Sequence, residues 1–326
     1  MTDVSVKAGG KARIASLDQF RGFAIFGMIL VNYLGYFTKI PATFKHPHYG
    51  MTFANTIAPF FLIAVGMGFR MSLKSRIPRD GYVRSYLAAA RRYFVLILIG
   101  IVLYGPDPVN NMWDALVDIG FAGLLTLPFI MSGRWVRISL AVLYLIIYQL
   151  LFSLTGYGAW TMEHSTDGGP LGIISWASIL FFGTIILDDL QEQPGPVFIR
   201  RSLILGSILT LCGYLLSLLS PPELWQFSQR SMTMAYPLLA SGLSFIVFAV
   251  FFWLADVRGV VIPHLSVLGM NPLVLYITQN VLIELHGNLL PSDAPVWQAL
   301  CGFIVIYSIC YIVASYLWKN KIIVKI

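Results

Sequence analysis

Charge is scarce in this 326-residue sequence, in which Asp, Glu, Lys and Arg together make up 11%. A soluble domain carries about 25% charged residues, so an ordinary water-soluble fold is excluded. Cysteine is scarce too. Cys212, Cys301 and Cys310 all lie in apolar stretches without CxxC or Cys/His spacing, which leaves no zinc or disulfide pattern and makes them small core residues. No Walker loop, GxSxG elbow, HExxH helix or GxGxxG turn occurs, so no common catalytic motif announces the chemistry. A cleavable leader is not expected either, because residues 1–16 are polar and basic and the first apolar run is too long for a signal core.

What is abundant is apolar sequence, at 57% of residues with a mean hydropathy of +0.76. Runs near twenty residues recur, each enough for a helix to cross about 30 Å of hydrocarbon. The pattern predicts an all-α polytopic membrane bundle of about ten transmembrane helices, at 17–37, 51–73, 90–105, 113–131, 137–156, 171–188, 200–219, 233–255, 265–287 and 296–317. Residues 1–16 and 318–326 then form tails around one membrane domain, 17–317. Basic residues orient it. With both termini in the cytoplasm, all Lys and Arg except Lys39, Lys45 and Arg230 fall on the cytoplasmic side. The net charge of +7 follows from this bias and does not call for nucleic acid.

Four polar loops then face outward: the segment "FKHPHYGMT" (44–52), 105–113 with Asp107, Asn110 and Asn111, 157–170 with Glu163, His164 and Asp167, and 220–232 with Trp225, Gln229 and Arg230. His46 and His48 form the densest ionisable cluster, and an imidazole can take and return a proton near neutral pH; solvated loop histidines are the plainer reading. Asn32, near the outward end of the first span, either bonds helices together or orients a reacting group. At the cytoplasmic edge Asp18 and Arg21 share a helix face, as a local ion pair or as a positive fork for phosphate. The basic stretch 70–92, with Arg70 and Lys74, is ordinary topogenic charge or an attractor for an anionic cytosolic ligand. Pro272 either starts the ninth span or kinks it. Trp225 is an interfacial anchor or a platform for a sugar ring. By residues alone, enzyme and transporter stay open.

The stretches "RIASLDQFRGFAIFGMILVNY" (13–33) and "FKHPHYGMTFANTIAPFFLIAVGM" (44–67) resemble the start of the heparan-α-glucosaminide N-acetyltransferase family and its bacterial relatives. "DGGPLGIISWASILFFG" (167–183), "LWQFSQRSMT" (224–233), "DVRG" (256–259) and "LGMNPLVLYI" (268–277) add weaker echoes in the family's order. The resemblance implies a membrane acyltransferase that draws acetyl-CoA, a co-substrate, from the cytoplasm and delivers acetyl to a sugar or glycan acceptor across the bilayer. It places the essential histidine at His46 and its partner asparagine at Asn32, with Arg21, Asp18, Arg70 and Lys74 expected around the CoA phosphates and no metal. A bacterial inner membrane is the expected location, and a homodimer is left open. Three positions depart from the family pattern: the histidine loop is one residue shorter, Asn55 stands where the family has an acid, and Ala58 stands where a Phe precedes Pro59. The rival reading is a transporter or flippase for a small polar or lipid-linked sugar.

Overall fold

In hydrocarbon every backbone N–H and C=O must find a partner within the chain, which for apolar runs of this length means helices. The computed structural model describes residues 14–110, 112–287 and 289–324. The expectations for residues 1–13, Asn111 and 325–326 lie outside it. Among the described residues the chain is helical, without strands. In order the helices are α1 (Ala15–Leu34), α2 (Phe53–Asp80), α3 (Tyr82–Tyr104), α4 (Ala115–Thr126), α5 (Arg134–Leu154), α6 (Tyr157–His164), α7 (Gly169–Glu192), α8 (Gly195–Ser217), α9 (Pro222–Trp225), α10 (Ala235–Phe252), α11 (Pro263–Leu268), α12 (Pro272–Gly287) and α13 (Val296–Lys319). Each of the ten expected spans coincides with a helix, except that the ninth is two.

Among the described residues seven helices are long and apolar enough to cross a membrane: α2, α3, α5, α7, α8, α10 with the π turn that follows it, and α13. The other three expected spans differ for physical reasons. α1 carries Asp18, Gln19, Arg21 and Asn32 along its 20 residues. α4 with its 3₁₀ extension ends at Phe129. The ninth span breaks at Gly269, where an added Cβ would lie 2.1 Å from the Asp18 carbonyl oxygen, and resumes with Pro272 as the first residue of α12. Proline needs no N–H partner there, so it starts that helix and does not kink it.

The helices meet at glycines. A Cβ on Gly66 of α2 would sit 2.3 Å from the Leu180 carbonyl of α7, and one on Gly183 of α7 would sit 2.3 Å from the Ile63 carbonyl. Only backbones without side chains approach so closely, the small-residue packing expected where apolar burial gives little net gain. Gly22 of α1 meets the Leu265 carbonyl of α11 in the same way. Ions join the same two helices further along. Asp188, 2% exposed, accepts from Arg70 Nε at 2.8 Å, from Lys74 Nζ at 2.7 Å and from the fully buried Arg137 of α5. The apolar core falls into two clusters, one centred on α2, α7 and α10 and the other on α12 and α13, and α1 contributes to both.

α2 is 28 residues long, about 42 Å at 1.5 Å per residue, so its two flanking loops stand a membrane's thickness apart. Thr43→Cys and Ile77→Cys, made separately in a background with the three native cysteines replaced by alanine, are therefore expected to label with an impermeant maleimide from opposite faces of sealed vesicles. Labelling from the same face rules out a crossing by α2.

Candidate functional site

α1 runs through the centre of the site. Its first turn is pinned to two distant loops: Asp256 accepts from the Ser16 N–H at 3.0 Å, and Gln19 Oε1 accepts from the Ile262 N–H at 3.1 Å. The "SLDQFRG", "DVRG" and "LGMNP" stretches therefore meet at one end of the bundle. The chain end joins them. Asn271 donates to the Ile322 carbonyl at 2.9 Å and accepts from the Val324 N–H at 2.9 Å.

The other end gathers "HPHYGMT", "QFSQRSMT" and "DGG". Gly50 N–H donates to the Phe227 carbonyl at 2.7 Å, and Gly168 N–H donates to the Arg230 carbonyl at 3.0 Å. Tyr236 donates to the Asn55 carbonyl at 2.8 Å, and Trp176 to the Asp167 carbonyl at 2.9 Å. At the start of α2, Asn55 Oδ1 accepts from the Thr52 N–H at 3.1 Å, and the Thr52 hydroxyl lies 2.8 Å from the Lys45 carbonyl. That ties the peptide just before His46 to the helix start.

A cavity of about 2750 Å³ connects the two ends. Asp18, Arg21, Arg76, Arg79 and Arg92 line its basic end, and Asn32, His46, His48, Asp114, Asp118, Asp167 and Gln229 line the other. From Arg21 to Asn32 is eleven residues of one helix, about 16 Å of rise. The cavity thus has a long reach, with arginines at one end and a His/Asn/Asp group at the other.

The structure thus brings four of the six expected site residues to one cavity: His46, Asn32, Arg21 and Asp18. Asp18 and Arg21 also form the local pair read as the plainer alternative, 4.0 Å apart, and Arg21 reaches the Ala64 carbonyl at 3.5 Å. Arg70 and Lys74 are not on the cavity wall. Both are drawn to Asp188, a buried carboxylate that needs counter-ions. Three arginines from the same basic stretch, Arg76, Arg79 and Arg92, line the cavity where those two do not. Trp225 is also absent from the lining.

The two loop histidines are not equivalent. Arg230 donates to His48 Nδ1 at 3.1 Å and to the Met162 carbonyl at 3.0 Å. A guanidinium only donates, so one ring nitrogen of His48 is already occupied as acceptor. His46 hydrogen-bonds to the Gln229 side chain. Gln229 in turn accepts from Asn55 Nδ2 at 3.2 Å and donates to Asp167 Oδ1 at 2.7 Å. His46 keeps an exposed face on the cavity. The protein around it nevertheless lowers its pKa below the ordinary 6.5 by desolvation, an effect the Gln229 hydrogen bond opposes. Burial raises Asp167 to about 7, helped by Asp114 and opposed by the Gln229 hydrogen bond. The other histidines are placed elsewhere: His164 stacks on Trp160, His264 on Tyr311, and His286 hydrogen-bonds to Tyr33.

Sequence reading named Gln229 and Asp167 only as loop residues, and it missed Asp118. A carboxylate amid the apolar run "ALVDIGFAGLL" was the available signal, since ionisable groups within a membrane span are costly and usually kept for function. The Gln229 and Asp167 contacts join segments 62 residues apart, and no spacing rule predicts them.

Residues 13–166 match the sequence model of the family described as heparan-alpha-glucosaminide N-acetyltransferase, catalytic. Human heparan-alpha-glucosaminide N-acetyltransferase is 35% identical over 99 residues, 29% of this chain and 14% of the human protein. The mouse protein of the same name is 32% identical over 99 residues, again covering 14% of its length. An uncharacterized 39.9 kDa protein of Bacillus acidopullulyticus is 32% identical over 124 residues, 36% of this chain and 34% of that protein. The stretches matched to these relatives span about a seventh of the mammalian proteins and a third of the bacterial one. The family match, 13–166, holds the α1 motif and the histidine loop and ends just before Asp167.

If burial governs His46, its ring is expected to titrate below pH 6.5, followed by NMR of histidine-labelled protein in detergent. Gln229→Leu removes the bond that favours the protonated ring, so it is expected to lower that midpoint further. An upward shift contradicts the Gln229–His46 contact.

Proposed function

We propose, from the match of residues 13–166 to the heparan-alpha-glucosaminide N-acetyltransferase catalytic family, that this chain is an integral membrane acyltransferase. It moves an acetyl group from cytosolic acetyl-CoA to an amino sugar or glycan acceptor on the opposite side of a bacterial inner membrane, through a bundle of ten crossings with both termini cytoplasmic. The observation that carries this reading is the cavity. It joins an arginine-lined end to the histidine–asparagine end, the geometry needed for a donor bound on one side and an acceptor on the other.

Each residue group then has its task. Arg21, Arg76, Arg79 and Arg92 hold the anionic phosphates of the donor by charge-assisted hydrogen bonds. Asp18 limits the freedom of Arg21, and Arg70 and Lys74 on Asp188 add positive field behind the wall. The thin arm of the donor follows α1 past Met28 and Val31, both of which line the cavity. Asn32 donates its amide N–H to the thioester carbonyl as negative charge develops there. His46 is neutral at pH 7 because its pKa is lowered, so it can accept the acceptor's proton as the new bond forms and return it to the departing sulfur. Gln229 holds the ring, and Asp167 holds Gln229.

Acetyl transfer from labelled acetyl-CoA by purified protein tests this. His46→Ala is expected to lower turnover about 10²–10⁴-fold, the usual contribution of a positioned acid–base group, while His48→Ala loses much less. The reverse order moves the base by two residues. Loss in neither, with no acceptor-dependent release of CoA, replaces the enzyme by a transporter using the same cavity.

Arg21→Ala is expected to weaken CoA binding by about 1.5–3 kcal/mol, the range for a hydrogen bond to a charged group. Titration calorimetry in detergent reads it directly. Unchanged affinity in folded protein returns Arg21 to its local pair with Asp18.

A further inference from the structure

α13 ends in a reversal of the chain. The Lys321 N–H donates to the Trp318 carbonyl at 3.0 Å, and the Ile322 N–H donates to the Leu317 carbonyl at 2.9 Å. With Lys321 in the left-handed region at φ 55°, these are the two bonds of a Schellman ending. Left-handed backbone is unfavourable for a lysine, so the reversal needs an anchor. Asn271 supplies it with both ends of one amide, donating to the Ile322 carbonyl and accepting from the Val324 N–H, each at 2.9 Å. An asparagine just before a helix ordinarily turns its oxygen on its own first turn. Asn271, 4% exposed at the start of α12, turns it on this segment instead.

Packing does not account for the segment's place. Ile322, Ile323 and Val324 are 40%, 52% and 48% exposed, and none belongs to either apolar cluster. The cavity does account for it. Ile323 and Val324 line the cavity together with Met270, Asn271 and Pro272. Gly269, where a Cβ would lie 2.1 Å from the Asp18 carbonyl oxygen, sets this wall against the turn of α1 that carries Arg21. The arginine end of the cavity therefore has two unlike sides. Arg21, Arg76, Arg79 and Arg92 give it cations, and residues 270–272 with 323–324 give it an uncharged wall. Released from Asn271, the segment would leave that wall incomplete.

We propose that residues 322–324 complete the donor site by covering the anionic head of the donor, and that Asn271 is the positioning residue that holds them there. The proposal rests on the acetyl-transfer reading above and deepens it with a donor contact that the arginines do not supply. The arginines attract the phosphates. The segment keeps water from those contacts, and a charge pair strengthens as water is excluded. Retention of the donor then depends on one uncharged side chain, 51 residues before the carbonyl it holds.

Equilibrium binding of coenzyme A to the purified protein in detergent, with charge placed at position 323, tests the cover. Ile323→Lys is expected to tighten binding about two- to fivefold and Ile323→Glu to loosen it as much, the range of an exposed charge pair. Both effects are expected to shrink in high salt. Position 323 is half exposed, so neither change disturbs packing. Asn271→Leu removes both bonds to the segment, and in that background the response to charge at 323 is expected to vanish. Its cost is expected in the KM for acetyl-CoA, up to about tenfold for each bond lost, and not in kcat. Val324→Pro removes only the N–H that Asn271 accepts from and is expected to act in the same direction, which keeps the test decisive should Asn271→Leu not fold. A segment that merely ends a helix is indifferent to the sign of charge at 323. Equal coenzyme A affinity in Ile323→Lys and Ile323→Glu therefore overturns the cover and keeps the enzyme. A charge response that survives both Asn271→Leu and Val324→Pro overturns the role of Asn271. Failure of coenzyme A to bind the native chain overturns the donor reading and the cover with it.

Discussion

The ion cluster on Asp188 sets the frame on which the rest of the bundle is built. One buried carboxylate on α7 holds two cations from α2 and one from α5. Removing either side of such a pair leaves an uncompensated charge in a medium of low dielectric. Further along the same interface, Gly183 and Gly66 bring the α2 and α7 backbones into contact. α2 is thus fixed by ions near one end and by backbone contact along its middle. Its N-terminal end, which carries Thr52 and Asn55 beside the histidine loop, inherits that rigidity. For the proposed transfer, in which a base must be held to about 0.5 Å, such a mount is what the chemistry requires.

The cavity exists because α1 serves two cores at once. Ile25 and Ile29 pack toward α12 and α13, whereas Phe20, Ala24 and Met28 pack toward α2 and α10. With its apolar residues divided between two neighbours, the helix keeps Asp18, Arg21 and Asn32 for the gap between them. The charge along that gap changes sign. Arginines dominate where Arg76 and Arg79 end α2, and carboxylates dominate where Asp114 starts α4. Under the proposed function, an anionic donor would be drawn to the arginine end.

Much of this was legible in the residues. Hydropathy places a helix at each of the ten expected stretches, seven of them long and apolar enough to cross a membrane among the described residues, and His46, Asn32, Arg21 and Asp18 line one cavity. What hydropathy cannot register is a helix whose polar residues face an internal gap, which is why α1, α4 and α12 read as spans but are shorter or more polar than the other seven. Charge counting likewise treats 70–92 as one basic block. The helix period divides it: Arg70 and Lys74 turn toward Asp188, whereas Ser72, Ser75, Arg76 and Arg79 turn toward the cavity. Gln229 was out of reach because its importance comes from touching Asn55 and Asp167, which are distant in sequence.

Asn55, which stands where the family it resembles has an acid, has a structural counterpart in its contacts. An acid at position 55 would sit at the start of α2, buried and within reach of Gln229. Here the position is Asn55, whose amide donates to Gln229 and whose oxygen accepts from Thr52. A carboxylate there could accept both from Thr52 and from the Gln229 amide, but it could not donate. With Asn55 donating to the Gln229 oxygen, the Gln229 amide group is turned toward Asp167. The acid of the site is thereby supplied from the loop before α7, one amide away from the histidine. Asp167 is itself buried and shares its surroundings with Asp114 and Asp118. A negative charge placed there is felt by this end of the cavity as well as by His46, so Asn55 on α2 links the orientation of the histidine to the field of the three carboxyl groups.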